Sequence, residues 1–172
     1  MNSEVEILRV VISSNISGSL LCEKLFRWTY TNEQVVVSKL CQVLIQIAVE
    51  FDDGGVQFAS FEIPDTGKSP VSESRSAIYD ESRNLNLALS IKDDIITAIF
   101  YVIHAEKRLE SHGEYIENKS HMISQDFCNK YSEFHQSKRS ILEGIAKEEI
   151  PMPQDMSSRF AEFSDTITQL VA

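Results

Sequence analysis

Residues 4–51 read EVEILRVVISSNISGSLLCEKLFRWTYTNEQVVVSKLCQVLIQIAVEF, and the succession of hydrophobic periods within them decides the fold. Glu4 to Ser13 carries Val5, Ile7, Leu8, Val10, Val11 and Ile12 with hardly any polar face. Such a run suits a strand covered on both sides, near the centre of a sheet. Ser13 to Gly18 is a turn cluster in which Asn15 and Gly18 tolerate positive φ. Leu20 to Trp28 then mixes Leu21, Leu25, Phe26 and Trp28 with Glu23, Lys24 and Arg27, a second strand forming a hairpin with the first. Thr31 with Gln34 makes a capping box, and the helix it opens runs to Phe51. Its stripe is Val37, Leu40, Cys41, Leu44, Ile47, Ala48 and Phe51, spaced for one packed face. Val35, Val36, Val43 and Ile45 widen it well beyond that face, leaving Ser38, Gln42, Gln46 and Glu50 as the polar remainder.

Beyond Asp52-Asp53-Gly54-Gly55 the chain returns to strand patterning. Val56 to Ile63 is a third strand, Ala77-Ile78-Tyr79 a short fourth, and residues 64–76 between them a polar, Ser- and Pro-containing loop. Leu85, Leu87, Leu89 and Ile91 alternate with Asn86, Ala88 and Ser90, the period of a half-buried fifth strand. Asp93-Asp94 suits a helix N-terminus electrostatically. Ile95, Ile96, Ile99, Phe100, Val102 and Ile103 are therefore expected to open an apolar helix that breaks near His112-Gly113. A further helix carries Ile123, Phe127, Tyr131, Phe134, Ile141, Leu142 and Ile145 up to Pro151 and Pro153. A last one, from about Asp155, shows Phe160, Phe163, Ile167 and Leu170 on one face. The expected class is α+β: a five-stranded antiparallel sheet in the order ββαβββ, followed by three helices. Residues 1–110 would form the α+β core, and 111–172 a helical extension packing on or beside it.

Length and composition bound the remaining possibilities. A chain of 172 residues is about one domain long and buries most of the apolar surface of its unfolded form. Its net charge of −10 is spread over both halves. Without a basic patch, nucleic acid and bare anionic membrane are poor partners. The acids ahead of a short apolar run are unlike a secretory leader, and no apolar stretch is long enough to span a bilayer. Cys22, Cys41 and Cys128 lie far apart, which fits buried free thiols in a reducing compartment and an expected cytoplasmic location.

Nothing in the spacing of reactive side chains points to chemistry. His104, His112, His121 and His135 pair with neither Cys nor His at a zinc spacing. Gly54-Gly55 lacks the Lys-Ser/Thr of a phosphate loop. The expectation is no enzyme activity, no catalytic residue, no cofactor and no metal. The breadth of the helix over 31–51 is the strongest functional hint, and burial between sheet and later helices explains it as well as a partner face does. If it is a partner face, Val36, Val43, Gln42 and Gln46 carry the contact. The C-terminal Phe/Ile/Leu seam fits packing on the sheet of its own chain better than docking in a partner's groove.

The segments ILRVVISSNISGSLLCEKLF, TNEQVVVSKLCQVLIQIAVEF, VQFASFEIPD and LNLALSI together resemble the longin/roadblock-like group. The resemblance covers residues 4–110, extends to the longins of vesicle-trafficking assemblies and Rab exchange-factor subunits, and is similar in outline to adaptor small subunits. It implies two strands, a helix, three strands and further helices, working as a binding platform in vesicle trafficking or small-GTPase regulation. Partners would be another longin-like subunit or a small GTPase, in a homo- or heterodimer peripheral to endomembranes. No SNARE heptad run followed by a membrane anchor is present. Two other readings stay open: a small ligand-binding protein or enzyme with a pocket between sheet and helices, involving His104, Glu106 or Tyr101, and a structural subunit of a larger complex without a GTPase link.

Overall fold

The computed structural model describes residues 5–27, 43, 57–61, 85–104, 109–148 and 150–172. Five strands form one antiparallel sheet: β1 (Val5–Ser14), β2 (Leu20–Leu25), β3 (Gln57–Phe61), β4 (Leu85–Lys92) and β5 (Ile95–Ile103), in the order β2-β1-β5-β4-β3. Four helical segments follow: α1 (Leu109–Ser137), α2 (Arg139–Glu148), α3 (Gln154–Ala161) and α4 (Ser164–Val171). The expected hairpin of the first two strands is present, and Gly18 takes φ 69° in its turn. The strand expected at 77–79 and the helix expected over 31–51 lie outside the described residues, except that Val43 is helical.

The run Ile95–Ile103 is a strand, not the expected helix. Its apolar residues satisfy a helical spacing only because nearly every position is apolar. A strand buried on both faces produces the same run, and β-branched Ile, Thr and Val favour it. Asp93 and Asp94, read as a helix start, are the two central residues of the β4–β5 hairpin, with Lys92 paired to Ile95. Both have positive φ, 50° and 63°. Left-handed conformation at both central residues is that of a type I′ turn, whose twist matches the flanking strands. Asp tolerates it because its short side chain bonds locally.

β5 thus lies between β1 and β4, and its alternation divides two apolar clusters. Ile95, Ile99 and Tyr101 face the helices, together with Val10 and Ile12 of β1. Ile96, Ala98 and Phe100 face the other way, with Val11, Leu87 and Leu89. A register shift between Ile7 and Arg9 lets Val5 and Ile7 share the helix face with Val10 and Ile12 despite their odd spacing.

α1 crosses β4 and β5, while α3 and α4 cover β2. α1 runs through Gly113 without the expected break, and its buried stripe explains why the sequence hid it. The positions facing inward are His112, Ile116, Ser120, Ile123, Ser124, Phe127, Tyr131 and His135, spaced three or four apart but polar at half of them. The helix expected to carry Ile123 to Ile145 is the latter part of α1 plus α2, parted by a turn at Lys138, and the last divides near Glu162. Phe160 stacks on Phe127 at 5.9 Å, and Phe163 meets Phe127 edge-on at 5.1 Å, so the C-terminal seam packs in its own chain as expected. Aromatic pairs at such separations add to area burial.

Substitutions at two positions test this account. Asp93→Val forces a β-branched residue into the left-handed region and is expected to lower unfolding free energy by about 1–2 kcal/mol, whereas Asp93→Gly retains it. Gly113→Ala, whose Cβ meets nothing within 4 Å, should raise stability by about 1 kcal/mol. Urea titrations followed by circular dichroism measure both.

Candidate functional site

Of the four residues expected to carry a partner contact, Val43 is helical and 52% exposed. Val36, Gln42 and Gln46 lie outside the described residues. A valine half open to water on a helix is not buried between layers, so at that position the breadth of the stripe is not explained by core packing. Phe58, on edge strand β3, is 48% exposed. It shares the helix-side face with Ala88, its partner in β4.

Of the polar residues first considered for a pocket, His104 and Tyr101 are described, and they lie in different settings. His104 Nε2 stands 2.6 Å from Glu6 Oε2, and Arg27 Nη1 donates to Glu6 Oε1 at 2.9 Å, a cluster at the sheet margin. Tyr101 is buried on the helix face, where loss of water pushes its hydroxyl pKa up. Glu106 lies outside the described residues. His121 is exposed, with Glu117 3.6 Å away one turn earlier. Among the described residues no group of three or more His, Cys, Asp or Glu is placed to hold a metal.

Cys22 and Cys128 are buried free thiols, as expected; Cys41 is outside the described set. Burial raises Cys22 to about 12, with the Glu23 carboxylate adding to the rise. Burial, with Asp93 adding, raises Cys128 to about 11. Neither forms the thiolate that a nucleophile needs near neutral pH.

Three polar arrangements were not legible beforehand. On the face away from the helices, Arg9 and Glu23 form an ion pair, both nearly inaccessible to water. On the helix face, four hydroxyls meet. Ser90 Oγ lies 2.8 Å from Ser120 Oγ and 3.1 Å from Ser124 Oγ, and Ser124 donates to Thr97 Oγ1 at 2.9 Å. Beside the β4–β5 turn, an open groove of about 290 Å³ is lined by residues that include Lys92, Asp93, Gln125, Cys128 and Lys130. The signals were present only as single polar residues inside apolar runs: Arg9 in β1 and the serines of α1.

Among the described residues no helix is long and apolar enough to cross a membrane. Comparison with protein-family models, with curated proteins and with solved structures finds no match to this chain.

Removing one member of the ion pair strands a buried charge. Glu23→Ala is expected to cost about 3 kcal/mol in chemical denaturation, while the apolar double replacement Arg9→Met, Glu23→Leu should recover most of that loss.

Proposed function

We propose that the chain is a non-catalytic protein-binding scaffold on a longin-like platform, acting in vesicle trafficking or small-GTPase regulation. The exposure of Val43 carries this reading. The sequence around it is apolar beyond one helical face, and a half-exposed valine there suits a surface covered by another protein. The resemblance of residues 4–110 to longins and an antiparallel sheet of a two-strand hairpin plus three further strands support it. So does the engagement of Glu6, Arg9, Glu23, His104 and His135 in pairs within the chain. The partner is another longin-like subunit or a small GTPase.

The groove beside the β4–β5 turn favours the ligand-binding alternative. Its two lysines are balanced by Asp93 and Glu133, and with its amide side chains they suit a small polar ligand without large net charge; thermal shift against a metabolite panel tests it.

Val43→Asp decides the scaffold reading. The variant should melt within about 2 °C of the parent, since a half-exposed position tolerates charge. In a quantitative pull-down from native lysate it should recover at least tenfold less of a small GTPase or a longin-like subunit. Equal recovery by parent and variant removes the interface, and recovery of a large complex lacking both partner types leaves a structural subunit without a GTPase link.

A further inference from the structure

The lower end of the sheet is closed by a junction that involves four elements. Ser14, at the end of β1, has its Oγ 2.9 Å from His135 Nε2 near the C-terminus of α1, and the same Oγ accepts the Ile16 N–H at 3.2 Å. Asn15 N–H donates to the Asp94 carbonyl at 2.7 Å, tying the two hairpin turns together. Arg139, the first residue of α2, donates to Asp94 Oδ2 at 3.2 Å. The imidazole of His135 is fully buried, with Phe160 of α3 6.4 Å away between ring centres. Its Nδ1 has no hydrogen-bond partner among the described residues.

We propose that this junction is a proton-sensitive latch, in which protonation of His135 releases the β1–β2 turn and the α3–α4 segment from the end of α1. In the neutral ring one nitrogen engages Ser14 Oγ and the other can stay bare. The cation carries N–H on both nitrogens. With Nδ1 bare, the neutral ring donates Nε2–H to Ser14 Oγ, whose second lone pair takes the Ile16 N–H. The proton added at Nδ1 would sit in the core without an acceptor among the described residues, a conflict relieved by opening.

The charges around the ring do not remove that conflict. The β1–β2 turn, residues 15–19, has no titratable side chain. The Asp94 carboxylate on the β4–β5 turn favours the cation, and Arg139 on α2 opposes it. α3 presents Phe160 to the ring, and its Arg159 lies over Phe134, 4.3 Å from the ring centre. Burial, the largest influence, holds His135 below its ordinary value. Because the folded value is depressed, the unfolded chain binds the proton more tightly. The stabilisation is complete above the unfolded value of about 6.5 and declines as pH falls below it.

Amide hydrogen exchange on the full chain at pH 7.5 and 5.5, corrected for intrinsic rates, tests the latch alongside thermal melts. At pH 5.5 protection should fall first at residues 14–19 and 154–171 while β4 and β5 keep theirs. Tm should drop by about 3 °C more in the parent than in His135→Gln, which keeps a polar side chain but cannot take the proton. Equal Tm changes in parent and variant, or uniform loss of protection across the sheet, overturn the proposal. Should His135→Gln fail to fold, the parent's exchange pattern and an NMR titration of its His135 ring decide alone. A ring that titrates at or above the unfolded value also overturns it.

Discussion

The fold depends on reversing the chain within two residues at Asp93-Asp94. Two successive left-handed residues send β5 back along β4 and into the centre of the sheet, where it also pairs with β1 along nearly its whole length. Without that reversal there is no strand for β1 to pair with on its inner edge, and neither apolar cluster has its central member. The strain of two non-glycine residues at positive φ is small beside the burial of Ile95, Ile96, Ile99 and Phe100 that it permits.

The two faces of the sheet handle polarity differently. The face away from the helices encloses a full ion pair, Arg9 with Glu23, between β1 and the edge strand β2. Such a pair contributes little net stability compared with well-packed apolar residues, but it penalises any pairing of β1 and β2 that separates the charges. The helix face encloses serine and threonine hydroxyls and two histidines, and lets aromatic rings supply the bulk. The ion pair joins strand to strand and the hydroxyls join sheet to helix; on the proposed platform reading, exposed apolar residues such as Val43 and Phe58 are what a partner would meet.

Much of the architecture was legible in the sequence where a period was unambiguous. β2, the turn with Gly18, the alternation of 85–91 and the inward seam Phe160-Phe163-Ile167 were readable from spacing, and β1 from its β-branched run ahead of a turn cluster. Ile95–Ile103 was not, because a strand with both faces buried loses the alternation that distinguishes it from a helix, and Asp-Asp is a weaker hairpin signal than Asn-Gly. α1 was blurred for the opposite reason: His112, Ser120, Ser124 and His135 interrupt an inward stripe that is continuous in space. Of the proposed contact residues, the structure bears on Val43, whose exposure agrees with its helical spacing from Lys39, Gln46 and Glu50.

The hydroxyl cluster at Ser90, Thr97, Ser120 and Ser124 has a mechanical consequence. Greasy surfaces alone would let a long rod slide along a pleated floor by one turn at little cost, since methyl groups are interchangeable neighbours. Four alcohols interlocked across that boundary index the rod to a single notch, because a slip would leave each of them dry and unanswered. The cluster therefore sets where the rod stops rather than how hard it grips.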